Sequence, residues 1–362
     1  MSGTKTMPHA QKRAALLTGI TGQDAGHLAQ YLHAQQYSVW GMIRGQNNPR
    51  RAEVERDLPF VHVVEGDVLD LGAVARAINL ADPNELYNFA AISHVGYSFS
   101  HPSVTMDVTG KGVLNVLEAV RLTGREERTR VYQASTSEMF GGVDDEMPGA
   151  GYNETSPLHP RSPYGAAKAY GHWIARNYRE SYGMFVVCGI LFNHEGERRG
   201  TEFVTRKISR AVARISVGLQ DDLHLGALWP RRDWGYAGDY VRGIHMMMQR
   251  DEPEDFVLAT GITHSVQDFV ERAFAEVGID DWRPYVVYDR TLERAAEVGH
   301  LFGDARRARD VLGWRPEVDF EGLVRLMIAH DLELARAEAA TASIAPPNAV
   351  EASVDIPAPE VA

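Results

Sequence analysis

The feature that most constrains this chain is the apolar run Ala14-Ala15-Leu16-Leu17-Thr18 leading straight into Gly19-Ile20-Thr21-Gly22-Gln23-Asp24-Ala25-Gly26. A helical pattern from His27 to Gln35 follows. Strand, glycine-rich turn and helix in that order predict a dinucleotide-binding turn. Gly19 makes the tight bend, Gly22 lets backbone approach a pyrophosphate, and the helix N-terminus faces the anion. The third small position is Ala25, which suffices where only close helix-to-strand packing is needed. A glycine fingerprint alone is weak, so the rest of the chain has to support it.

It does so by alternation. Ser38–Ile43 reads as a second strand ending at Arg44, Val61–Glu65 as a third, and Glu85–Phe89 as a fourth that leads into Ala90-Ala91-Ile92-Ser93-His94. Helical patterns fall at Leu71–Leu80 and Gly110–Thr123, and strand-like runs at Val131–Ala134 and Phe185–Leu191. This predicts an α/β fold with a doubly wound parallel sheet. Within it Gly19, Thr21, Gly22, Gln23 and Asp24 form the expected cofactor turn. Arg44 stands where an acidic residue would bind a ribose 2′-hydroxyl and an arginine a 2′-phosphate, which favours NADP over NAD. Asp67 and Val68 lie where adenine is met, and the small residues Ala90 and Ser93 let backbone approach the cofactor. His94 reads as a structural histidine.

One short segment concentrates the chemistry. Thr136 and Glu138 follow a buried strand, and Tyr164 and Lys168 lie one helical turn apart on one face. An ammonium beside a phenol favours phenolate, which makes Tyr164 a candidate general base with Lys168 as its partner. A Tyr-x-x-x-Lys pair alone occurs on many solvated helices, so its weight comes from this setting.

From Asn193 onward the pattern loosens. Helices are expected at Phe203–Gly218, Tyr240–Gln249, Val266–Val277, Ala305–Leu312 and Phe320 to about Ala337, building a smaller C-terminal α+β lobe over the substrate. Residues 1–12 and 341–362 are expected to be disordered. The nucleotide-binding part spans 13–192 plus later returning segments, and the substrate lobe mainly 193–337. A net charge of −12 argues against nucleic acid as a partner, yet basic islands at Arg198-Arg199, Arg206-Lys207 and Arg231-Arg232 suggest a local anionic ligand. No apolar run reaches the roughly 18 residues of a membrane span, and the first residues lack the apolar region of a signal peptide, so a cytoplasmic location is expected. The single cysteine, Cys188, sits in an apolar strand and reads as a buried inert thiol. No metal cluster is visible.

With these residues assembled, the sequence resembles the extended short-chain dehydrogenase/reductase superfamily and, within it, the GDP-mannose 4,6-dehydratases, from about Ala14 to about Leu334. The most specific pieces are Thr18–Asp24, Gln133–Glu138, Pro160–Lys168, Asn177–Gly183, Gly189–Glu195 and Arg232–Gly235. The resemblance implies a Rossmann fold, bound NADP and a nucleotide-sugar substrate. It makes Tyr164 the base that starts oxidation and gives Lys168 the nicotinamide ribose. Thr136 falls to the sugar hydroxyl, Glu138 to C5 and C6 of the sugar, and His194 and Arg199 to the cofactor. Asn193, Lys207, Arg232, Arg294 and Glu297 are the expected substrate-binding set. The chain departs from the family pattern at Thr201, Glu202, Ala227, Trp229, Thr291 and Leu292. Glu138 separates a dehydratase from an epimerase or reductase, which needs only Tyr164 and Lys168. The resemblance also implies a homodimer through the helices at Gly110–Thr123 and Tyr164–Ser181, with Val113, Val116, Leu117 and Val120 either at that interface or on the subunit's own sheet. A tetramer is less expected, because the loop after Arg44 is short.

Overall fold

The computed structural model describes residues 12–141, 149, 151–293 and 298–344. Seven parallel strands form its main sheet. They are β1 (Ala14–Thr18), β2 (Ser38–Ile43), β3 (His62–Glu65), β4 (Glu85–Asn88), β5 (Arg130–Thr136), β6 (Val186–Leu191) and β11 (Phe256–Leu258), in the order β11-β6-β5-β4-β1-β2-β3. The order runs outward in both directions from β1 and β4. That junction is the switch point outside which open α/β sheets bind ligands.

The strands are apolar on both faces because helices cover both. On one face lie α3 (Leu71–Ala81), α6 (Gly112–Leu122) and α7 (Pro163–Tyr182), whose Val74, Ile78, Val116, Leu117 and Ala175 pack on Leu16, Leu86 and Val131. On the other lie α1 (Gln23–Ala34) and α9 (Ala237–Met248), which bury Leu28, Leu32, Ile244 and Met247 on Leu17, Val187 and Leu258. The helix expected at Tyr240–Gln249 thus belongs to the sheet, not to the capping lobe, and β11 follows it back to the sheet edge. The first helix begins at Gln23, ahead of the expected His27, with Gly22 as N-cap and Asp24 in its first turn. A carboxylate there is favoured by the helix dipole.

Other helices differ from expectation as well. Chain order adds α2 (Arg51–Asp57), α4 (Val95–Ser100) and α5 (Pro102–Met106); a π-helical turn at Asp107–Lys111 then joins α5 to α6. The helix expected from Gly110 is therefore helical from Pro102. Val113, Val116, Leu117 and Val120 are all buried against the subunit's own sheet, so this stripe is spent internally.

The lobe is built on α8 (Val204–Ser216), α10 (Val266–Glu276) and α11 (Phe320–Ile344), packed through Ile208, Val212, Phe269, Val270, Leu323 and Met327. Three small sheets accompany these helices: β7 (Asn193–Glu195) with β10 (Trp234–Tyr236), β8 (Leu223–Leu225) with β13 (Val286–Tyr288), and β9 (Arg231–Arg232) between β12 (His264–Ser265) and β14 (His300–Leu301). The last helix continues to Ile344, past the expected start of the tail. Among the described residues no helix is long and apolar enough to cross a membrane. Cys188 is fully buried, and burial pushes its thiol well above the ordinary range.

Candidate active site

The carboxyl ends of β1, β4 and β5 are tied by side chains. The Thr18 hydroxyl donates to Asn88 Oδ1 at 2.7 Å and accepts from the Phe89 and Ala90 amides at 3.1 and 3.0 Å. Asn88 Nδ2 donates to Gln133 Oε1 at 2.8 Å. This chain fixes the backbone on both sides of the switch point. Gly19 completes it: its φ is +68°, and a Cβ there would stand 3.1 Å from the Ala90 nitrogen. Only glycine takes that conformation and approach without strain.

β5 and the short turn Ser137–Met139 carry the hydroxyl and the carboxylate. The Thr136 hydroxyl accepts from the Glu138 amide at 3.3 Å. α7 starts opposite, with Ser162 Oγ accepting from the Gly165 amide at 3.0 Å and Pro163 at the first position, both strong helix starters. A Cβ on Gly165 would stand 2.8 Å from the Glu138 carbonyl oxygen. The bare glycine thus lets α7 press on the turn that bears Glu138, and it brings Tyr164 beside Thr136.

Tyr164 and Lys168 are both buried. Burial pushes the Tyr164 phenol above its ordinary value, with the Thr136 hydroxyl hydrogen-bonded to it and the more distant Arg199 charge working the other way. The net shift is upward, against the lowering expected from the Lys168 spacing. The Lys168 Nζ donates to the Ala134 carbonyl at 2.7 Å and lies 5.8 Å from the centre of the Tyr164 ring. Burial brings the ammonium itself down to about 8, against the attraction of Asp24.

A second cluster ties the cofactor turn to the lobe. His194 on β7 meets the Asp24 carboxylate at 3.0 Å through Nε2 and the Phe192 carbonyl at 2.7 Å through Nδ1. It stacks on Tyr240 with centroids 4.8 Å apart. Burial works against both charges, yet each charge supports the other: His194 is raised and Asp24 held well below the carboxylate range. Gln23 donates to the His194 carbonyl at 3.0 Å. Arg199 pairs with Glu195 at 2.9 Å and lies 3.5 Å over the Phe203 ring. His94 accepts from the Tyr97 amide at 3.1 Å and caps α4, in keeping with a structural histidine.

The cofactor turn, the Thr136–Glu138 segment, Tyr164, Lys168, His194 and Arg199 border one cavity of about 1190 Å³. Its walls include every residue expected at the cofactor, from Gly19 to Asp24 at the turn through Arg44, Asp67, Val68, Ala90 and Ser93 to His194 and Arg199. They also include Thr136, Glu138, Tyr164 and Lys168, and of the substrate set Asn193, Lys207 and Arg232. Arg294 and Glu297 lie outside the described residues. The basic islands split: Lys207 faces the cavity, whereas Arg206 is buried against Asp331 of α11 at 2.8 Å. Arg231 turns to the Thr263 carbonyl at 2.6 Å, while Arg232 lines the cavity. Among the departures, Glu202, Ala227, Thr291 and Leu292 are in the wall, and Trp229 stands 61% exposed beside Gly299. Arg50 is a wall residue that the sequence reading missed, and Arg198, read there only as part of a basic island, is a second.

A family profile described as GDP-mannose 4,6 dehydratase matches residues 16–327. The chain belongs to this family. It is 46% identical to GDP-mannose 4,6 dehydratase 2 of Arabidopsis thaliana over 337 residues, covering 90% of this chain and 89% of the relative. Against the human GDP-mannose 4,6 dehydratase the figure is 43% over 349 residues, covering 90% and 93%. Among solved structures it resembles the UDP-glucose 4-epimerase of Thermus thermophilus in complex with NAD, with a TM-score of 0.76, 26% identity and coverage of 88% and 98%. It likewise resembles the dTDP-glucose 4,6-dehydratase of Streptomyces venezuelae with NAD bound, with a TM-score of 0.74, 26% identity and coverage of 88% and 97%. The doubly wound fold expected from the alternation is the fold of these proteins.

Proposed function

We propose that this chain is a nucleotide-sugar 4,6-dehydratase of the cytoplasm, acting on GDP-mannose with bound NADP. The observation that carries the reading is Glu138, set two residues from Thr136 on a turn that α7 presses toward Tyr164, with all three facing one cavity. Family membership favours GDP-mannose as the substrate. Lys207 and Arg232 are lobe cations in the cavity wall that would meet its diphosphate.

The residues fit a nicotinamide dinucleotide. Its pyrophosphate suits the bend at Gly19–Gly22 and the start of α1, its ribose Lys168, and its adenosine the wall at Asp67 and Val68. The chemistry that group supplies is hydride storage, from C4 of the sugar and back to C6, so that the net reaction is loss of one water.

The side chains move the protons. Tyr164 takes the C4-hydroxyl proton, helped toward phenolate by the Thr136 hydrogen bond and the Arg199 charge against the cost of burial. The resulting ketone acidifies C5. Glu138 takes the C5 proton and passes it to the C6 hydroxyl, which leaves as water. A proton then returns to C5 and balances the one held by Tyr164. The test is a panel of purified nucleotide sugars: GDP-mannose should lose one water to give a 4-keto-6-deoxy product. Inversion or reduction without water loss would refute the reading.

Arg44 supports NADP, because a guanidinium forms bidentate bonds to a 2′-phosphate and no carboxylate stands at that position to accept the ribose hydroxyls. The unmutated protein should copurify with NADP and prefer it. Arg44→Asp should reverse the preference, measured as the ratio of dissociation constants. Equal affinities in the unmutated protein would refute the assignment.

The proposal includes a homodimer through the outer faces of α6 and α7. Tyr170, Trp173 and Tyr182 stand 37%, 55% and 48% exposed on α7, and Leu122 ends α6 at 66%. Arg176 lies 4.9 Å over Trp173 and Arg121 4.0 Å over Tyr182. Aromatic and arginine residues of this kind are enriched at interface cores. Light scattering at micromolar concentration should give a dimer, and Trp173→Glu a monomer. A monomeric unmutated protein would refute it.

A further inference from the structure

We infer that Arg198, on the loop between β7 and α8, is a second cation for the 2′-phosphate of NADP, and that Gly26 on α1 is bare so that this arginine can cross the helix to reach it. The inference rests on the NADP reading and adds a residue from outside the dinucleotide fold's own turn.

Three guanidiniums, Arg44, Arg50 and Arg198, stand in the cavity wall: Arg44 directly follows β2, Arg50 precedes α2, and Arg198 approaches Asp57 of α2. They are not equivalent. Arg50 is clamped by Glu53 through two bonds, of 2.8 and 3.0 Å, beside its own helix. Arg198 arrives from far along the chain. Its loop is anchored on both sides: Arg206 donates to the Glu197 carbonyl, and Arg199 pairs with Glu195. A turn closed by the Arg199 amide on the Gly196 carbonyl at 3.1 Å then aims Arg198 at α1. There its Nε lies 2.5 Å from where a Cβ on Gly26 would stand, with Cζ at 3.1 Å. The nearest carboxylate, Asp57 of α2, is 3.9 Å away, which leaves the guanidinium loosely held, with 22% of the side chain exposed.

Folding alone gives no reason for a glycine at position 26. It lies inside α1, where glycine is disfavoured relative to alanine. Its φ is not among the positive values, so the backbone does not require it. What a methyl group would displace is the guanidinium of Arg198. A charge loosely paired at the wall, brought over a helix stripped of its side chain, suits an anion that arrives with the ligand. Because NAD lacks that phosphate, the residue should discriminate between the two cofactors. It should leave the sugar nucleotide unaffected.

The test is competition of NADP and of NAD against NADPH fluorescence on the full-length protein. Arg198→Ala should weaken NADP about ten- to a hundredfold, as expected for a charge-assisted bond, and leave NAD within about twofold. Gly26→Ala should shift the preference the same way without lowering the melting temperature, since only a side chain is displaced. If the unmutated protein binds both cofactors equally, the NADP reading itself fails. If it prefers NADP but Arg198→Ala weakens both cofactors alike or neither, or raises only the KM for GDP-mannose, this inference alone is overturned. A Gly26→Ala protein that keeps its full preference for NADP also overturns it.

Discussion

Glu138→Gln is expected to abolish loss of water, by about a hundredfold or more, while oxidation at C4 survives. General acid–base groups typically contribute about 10²–10⁴-fold, and here one carboxylate serves as base at C5 and as acid at C6. The substitution keeps the shape of the side chain. The turn should also keep its place, because its backbone holds it: the Glu138 amide donates to Thr136, and its carbonyl faces Gly165. The expected signature is NADPH absorbance on adding GDP-mannose, with the 4-keto sugar trapped before its C6 oxygen is lost. Near-normal dehydration by this variant would move the chain to the epimerases or reductases of its superfamily.

Tyr164→Phe is expected to lower both oxidation and dehydration by about 10²–10⁴-fold. The phenylalanine keeps the buried ring, so the loss isolates the hydroxyl. No other group replaces it. Lys168 is occupied by the Ala134 carbonyl, and the Thr136 hydroxyl is far too weak an acid to exchange the proton near neutrality. Thr136→Val should be milder. One orienting hydrogen bond is worth about 0.5–1.5 kcal/mol, roughly tenfold in rate at most. Stopped-flow absorbance of the cofactor separates the two variants. Comparable losses at Thr136 and Tyr164 would mean that the hydroxyl, not the phenol, starts the reaction.

The sheet and its ligand-binding edge were legible because local signals repeat. Strand-like runs at Ala14–Thr18, Glu85–Asn88 and Val186–Leu191 each end at the same edge, and small residues such as Gly19 and Ala90 follow two of them. Tyr164, Lys168, Thr136 and Glu138 were legible because they lie on one short segment. What long-range packing decides was not. Arg206 and Lys207 are neighbours in sequence, but the helical turn sends one to Asp331 and the other to the cavity. The stripe from Val113 to Val120 has the spacing of any buried face, and spacing alone does not say which partner buries it. Arg198 reaches α1 from a distant part of the chain, and Gly26 looks like one more glycine of the turn until Arg198 is seen to cross it. The upward shift of Tyr164 has a related cause. Sequence spacing puts Lys168 nearby, but burial and the Ala134 carbonyl are properties of the folded cleft.

The most direct test of the proposed activity follows a label. GDP-mannose carrying deuterium at C4 is incubated with the purified protein, and the product is read by mass spectrometry and deuterium NMR. A 4,6-dehydratase gives a product one water lighter, with the deuterium now on C6. Deuterium that stays on C4 of an inverted sugar, or that leaves the sugar altogether without loss of water, would contradict it.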